Sequence, residues 1–156
     1  MIKAAEFKKR FRYAVSISGK TNTMISDETG IIASTIAGYY SGSIIPKDEN
    51  LMLLCACLDV SADYLIGLTD DPKPQGRNGK YGYIVERIRF LMERYHMTPN
   101  GFCKRIGTSK NSAYLWLTWK KGISLYSVAK IAEAFGVRAD WLIGLSDDMG
   151  EGVKVL

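Results

Sequence analysis

Phe7, Phe11, Ala14 and Val15 stand apolar among charged and polar neighbours, and the same i, i+4, i+7, i+8 spacing returns at Ile84, Ile88, Leu91 and Met92. At each place this period predicts an amphipathic helix about three turns long. Thr21 and Thr98 follow as N-caps of a short second helix, which Gly30 and Gly107 end; Pro99 takes the first helical position, where its missing N–H is harmless. A two-residue turn leads to a third helix over 33–41 and 110–118, anchored inward by Ile36 and Tyr39 or by Ala113 and Trp116. A fourth carries Leu51, Met52, Leu54, Cys55 and Leu58, or Val128, Ala129, Ile131, Ala132 and Phe135. A fifth, short helix closes each set on an aromatic residue, Tyr64 or Trp141. No strand alternation competes, so the expected fold class is all-α.

The two sets are copies. Ala62-Asp63-Tyr64-Leu65-Ile66-Gly67-Leu68-Thr69-Asp70-Asp71 recurs 77 residues later as Ala139-Asp140-Trp141-Leu142-Ile143-Gly144-Leu145-Ser146-Asp147-Asp148. At that offset, with no gap, apolar positions pair with apolar positions and turn glycines with turn glycines, so one structural unit is written twice. Between the copies, Pro72 to Gly82 has the Pro, Gly and basic composition of a linker. The expected organisation is a first domain over 1–71, a linker over 72–82, a second domain over 83–148 and a tail over 149–156. The second domain contains every element of the pattern and is expected to fold alone. No apolar run reaches the length of a membrane span and the start lacks the apolar core of a secretory signal, so a cytoplasmic protein with no membrane association is expected.

Charge separates the copies. Residues 1–72 hold 7 Lys and Arg against 9 Asp and Glu, residues 83–156 hold 11 against 7, and three more basic residues lie between. The three cysteines cannot all pair, and Cys55 and Cys57 align with Ala132 and Ala134, which reads them as small interior or semi-buried helix residues. Asp70 with Asp71, and Asp147 with Asp148, follow Gly-Leu at the end of each copy, which suits turn and helix-terminus roles better than paired catalytic carboxylates. No nucleophile–base pair, phosphate-cradling loop or metal-ligand spacing appears, so no catalytic residue, no cofactor and no metal is expected.

A short helix, a tight glycine turn, a second short helix and a helix leading into Gly136-Val137-Arg138-Ala139-Asp140-Trp141-Leu142-Ile143-Gly144-Leu145 resemble the lambda-repressor-like, Cro-type helix-turn-helix family of bacteria and phages. The resemblance covers residues 97–148 without insertion, and 20–71 nearly as well. It implies two tandem five-helix lambda-repressor-like helix-turn-helix domains, double-stranded DNA as partner, and a transcriptional regulator, a repressor of phage or mobile-element type. In that family the third helix enters the major groove and the N-terminus of the second lies on a phosphate. Carried over residue by residue, Ser109, Lys110, Asn111, Tyr114 and Leu115 become the reading face of the second domain, with Ser109 as N-cap, Thr98 at the phosphate, and Lys120 and Lys121 gripping the backbone. Lys110 suits guanine O6 and N7, and Asn111 suits adenine. The first domain offers Thr21, Ala33, Ser34 and Ala37, with Lys8, Lys9, Arg10 and Arg12 as local positive charge.

The chain departs from the family at several positions. Pro99 stands where a glutamine often touches DNA, Leu115 where a polar base contact is common, and Trp119 where Gly42 keeps the usual glycine. An Arg–Glu pair that often ties the first helix to the third is replaced by Val15 with Tyr40 and by Met92 with Leu117, so apolar contact is expected there. Ile32 stands in place of a capping residue, and Gly38 lies inside the third helix, each a loss of ~1 kcal/mol. The second domain, more basic and better furnished, is expected to dominate DNA binding. The rival reading is a protein–protein interaction or dimerisation module that keeps the fold and uses exposed surfaces such as Tyr39 and Tyr40. Homodimerisation is left open, and no small-molecule ligand is evident.

Overall fold

The computed structural model describes residues 4–74, 84–118 and 122–150 of the 156-residue chain. The described residues form ten helices and no strand: α1 (Ala4–Ser18), α2 (Asn22–Thr29), α3 (Ala33–Ser41), α4 (Asp48–Leu58) and α5 (Ala62–Leu65), then α6 (Ile84–Arg94), α7 (Pro99–Ile106), α8 (Ser112–Leu117), α9 (Leu125–Phe135) and α10 (Ala139–Leu142). The all-α reading holds. No helix among these residues is long and apolar enough to cross a membrane.

The core follows the helical period. Phe7, Phe11 and Ala14 of α1 are wholly buried, and the Phe7 and Phe11 rings stack at 5.7 Å while both meet Tyr39 of α3 edge-on. In the second half Ile88 and Leu91 are buried, and Phe102 stacks on Phe135 at 5.3 Å. Tyr64 and Trp141 cover the core from the fifth helices. Each lies under an arginine from the first helix of its half, Arg10 at 4.7 Å and Arg87 at 4.8 Å from the ring centroid. These arginines continue to Asp70 at 2.8 Å and Asp147 at 3.1 Å. Asp71 and Asp148 accept from the backbone N–H two residues on, closing turns as expected of them. Cys55 and Cys103 are buried; burial and Glu28 push the Cys57 thiol up to about 11, which keeps it protonated and unreactive.

The two halves are joined by equivalent residues. Asp140 accepts from Ser61 Oγ and from the Ala62 N–H, both at 2.8 Å, at the start of α5. Asp63 in turn accepts from the Ala139 N–H at 2.7 Å and the Asp140 N–H at 3.3 Å at the start of α10. Arg138, the N-cap of α10, supplies no side-chain cap of its own, so the cap comes from the other half. An antiparallel bridge joins Lys47 to Ser124, also 77 residues apart, and the Ile123 N–H donates to Asp48 at 2.9 Å.

Ser61, Asp63, Asp71, Lys73, Arg138 and Asp140 line a polar cavity of about 230 Å³ at this junction. Burial, and then the nearby Asp140 carboxylate, push Asp63 up to about 6, against the pull of the two amides it accepts from. Raised above its unfolded value, this group stabilises the fold below that value, and the contribution is lost as pH rises through 6. We expect stability to fall by ~1 kcal/mol from this group between pH 5 and 8. Asp63→Asn, which keeps an oxygen for the Ala139 N–H and places an NH₂ before Asp140, should flatten that dependence. Thermal melts across that range check it; an unchanged slope in the variant would contradict the assignment.

Candidate nucleic-acid interface

Each half carries a short helix, a glycine turn and a second short helix, and local chemistry accounts for the bend. Thr21 Oγ1 accepts from the Met24 N–H at 3.2 Å, and Thr98 Oγ1 from the Gly101 N–H at 3.0 Å, capping α2 and α7. Gly30 and Gly107 end these helices with φ of 76° and 74°, the left-handed region that a glycine enters without strain. Ile25 and Phe102 hold the first helix of each pair on the core, and Ile36 and Trp116 hold the second.

The third helices are also tied at their C-terminal ends. Arg12 Nε donates to the Tyr40 carbonyl at 2.7 Å and lies over the Tyr40 ring at 4.6 Å from its centroid. Its counterpart 77 residues on, Arg89, donates to the Leu117 carbonyl at 3.2 Å. Beside the apolar residues expected at the tie from first to third helix, of which Val15 is buried and Met92 and Leu117 pack on the core, each half has a polar tie: an arginine meets helix-end carbonyls that have no intrahelical donor. Of the residues expected to add local positive charge, Arg10 is paired with Glu6 and Asp70 and donates to two carbonyls, which offsets its charge, whereas Arg12 meets a carbonyl and a ring and keeps its own.

Most of the candidate reading residues are presented to solvent. Ala33, Ser34 and Ala37 are exposed along α3, and Ile32, at its start, is 71% exposed and makes no side-chain cap. Thr21 and Thr98 are exposed beside the first turns of α2 and α7. Ser109, Lys110, Asn111 and Tyr114 are exposed, and Leu115 is half-buried. Their backbone differs from expectation. α8 begins at Ser112, two residues later than expected, and Ser109 does not cap it: the Ser109 carbonyl accepts from the Ser112 N–H at 3.0 Å, so 109–111 form a turn that leads into the helix. The Ala113 N–H is taken by the buried Cys103 Sγ at 3.3 Å, and Ser112 pairs with Thr108, which places the first turn without a Ser109 cap. Lys120 and Lys121, with Trp119, lie outside the described residues. Tyr39, named in the rival reading as an exposed aromatic, is 3% exposed and accepts from Asn50 Nδ2 at 2.8 Å, so it belongs to the core and only Tyr40 is presented.

The fold and this paired-helix surface define a helix-turn-helix protein, and comparison with known proteins agrees. Over 79 residues the chain is 33% identical to the HTH-type transcriptional regulator YobD of Bacillus subtilis (strain 168), a match spanning 51% of this chain and 70% of that protein. The chain belongs to the helix-turn-helix transcriptional regulators. No family profile and no solved structure matches it.

Arg12 combines a hydrogen bond with a ring contact, whereas among the described residues Arg89 shows the longer hydrogen bond and no ring contact. Arg12→Ala should therefore lower stability by ~1 to 2 kcal/mol and Arg89→Ala by ~0.5 to 1 kcal/mol. Urea denaturation of the two variants measures this, and a reversed order would contradict the role given to Arg12.

Proposed function

We propose that the chain consists of two tandem lambda-repressor-like domains, over 1–71 and 83–148, and acts as a DNA-binding transcriptional regulator. It occupies an operator without catalysis and without a cofactor, in the cytoplasm, as a repressor of phage or mobile-element type. The observation that carries this reading is the exposed polar turn Ser109-Lys110-Asn111, aimed off the α7–α8 pair in the half with the positive balance. Lysine and asparagine are the donor sets that suit guanine and adenine edges in the major groove. The Asn100 N–H and the Thr98 hydroxyl at the N-terminus of α7 can donate to a phosphate, Pro99 having no N–H and that of Gly101 being taken by Thr98, and Lys120 and Lys121 supply charge after the reading helix. Thr21, Ala33, Ser34 and Ala37 are the corresponding surface of the first domain, with Tyr114 and Leu115 completing that of the second. The interaction-module reading is weakened by the burial of Tyr39, since half of its aromatic pair is unavailable to a partner.

Fluorescence anisotropy with duplex DNA over a salt series tests the reading. The expected result is retention at low salt with a steep log–log slope. Lys120→Ala with Lys121→Ala should weaken binding about equally across sequences and flatten the slope by ~0.9 for each lost contact. Lys110→Ala or Asn111→Ala should instead relax base preference at one or two positions, at ~1 to 3 kcal/mol each, with Ser34→Ala mattering less. Absence of DNA retention at low salt would overturn the proposal.

A further inference from the structure

The contacts between the halves have the form of a two-fold interface made within one chain. An antiparallel bridge between residues 47 and 124, equivalents at an offset of 77, requires a local two-fold axis between them. Asp63 and Asp140, also equivalents, each cap the short helix of the other half, the reciprocal pattern of a self-complementary surface. In a homodimer such an interface relates two identical reading helices; here it relates α3 to α8, which are not identical.

The same contacts limit how far apart the reading helices lie. The Ile44 N–H reaches back to the Gly38 carbonyl at 3.4 Å, and three residues from Ile44 to Lys47 add at most ~11 Å, so the middle of α3 sits close to the bridge. From Ser124 to Leu117 the chain spans at most ~25 Å, and Leu115 is one further half-turn of helix away. The centres of α3 and α8 are therefore no more than ~50 Å apart. That distance admits two successive major grooves on one face of the duplex, ~34 to 36 Å apart, and excludes a separation of two turns.

We propose, resting on the DNA-binding reading above, that a single chain reads an asymmetric operator of two unlike half-sites one helical turn apart. The start of α3 and its N-cap present Ile32, Ala33 and Ala37 beside the short hydroxyls of Ser34 and the half-buried Thr35, a surface that fits thymine methyls, so its half-site is A·T-rich. The 109–111 turn presents Lys110 and Asn111, so the other half-site contains guanine and adenine. The self-complementary contacts at Asp63 with Asp140 and at Lys47 with Ser124 are already made within this one chain. The first domain, whose acidic residues outnumber its basic ones, binds through covalent linkage to the second, which holds it at high effective concentration beside the next groove.

The test selects sites from a random duplex pool with the full chain. The selected complex is then mapped by hydroxyl-radical footprinting and weighed by native mass spectrometry. The expected result is one chain per duplex, two protected patches one turn apart on the same face, and a motif whose halves differ, one of them thymine-rich. Inserting about five base pairs between the halves rotates one to the opposite face and should cost at least ~10-fold in affinity. Ile32→Glu with Ala33→Glu, both at exposed positions, should erase the thymine-rich half from the profile and leave the other, with an unchanged thermal melt. A single protected patch, or a palindrome holding two chains, would overturn the inference while leaving DNA binding intact; no retention of DNA would overturn both.

Discussion

The exchange of carboxylates between Asp63 and Asp140 is the contact on which the arrangement of the two halves depends. α5 and α10 are four residues long, far below the length at which a helix holds itself together, and their first N–H groups have no acceptor within the helix. Each finds that acceptor in the opposite half. Asp140 is 2% exposed, so its desolvation is offset by the Ser61 hydroxyl and the Ala62 amide. Removing either carboxylate strips the cap from a helix in the other half and leaves the donors it served without their acceptor, the Ser61 hydroxyl and Ala62 amide in one case and the Ala139 and Asp140 amides in the other. Tyr64 and Trp141, which sit on those short helices and close the two cores, are thereby placed by residues outside their own half.

The third helix of each half is positioned from behind by the same repeated chemistry. An arginine of the first helix takes the carbonyl at the end of the third, Arg12 for Tyr40 and Arg89 for Leu117. A second arginine, Arg10 or Arg87, crosses the closing aromatic to the aspartate beyond it. Where the halves differ, the packing explains it. Gly38 lies inside α3 because Ile44 folds over it: a Cβ at Gly38 would come within 2.5 Å of Ile44 Cγ1. The second half has the half-buried Leu115 at that position.

Much of this was legible in the residues. Helical spacing located α1 and α6, threonine caps and left-handed glycines bounded α2 and α7, and the expected α3 has the observed limits. The start of α8 was not legible. A serine before a short helical run reads as a cap, yet Cys103 Sγ and the Thr108–Ser112 pair settle the first turn two residues later. The arginine ties left no trace, since every residue has a carbonyl and composition cannot say which one an arginine will reach. The exchanged caps were invisible for a related reason. Asp63 and Asp140 stand in the first turn of their own helices, where an acidic residue already suits the helix N-terminus, and spacing along the chain does not report that each serves a helix about 77 residues away.

Amide hydrogen exchange at Ala62 and Ala139, followed by NMR, tests the joined arrangement most directly. Both are first residues of their helices, so the carboxylate from the other half is their acceptor. The account requires both amides to be protected to about the same free energy as the amides of α4 and α9. Exchange of either at the rate of an unstructured peptide, while α4 and α9 stay protected, would contradict it.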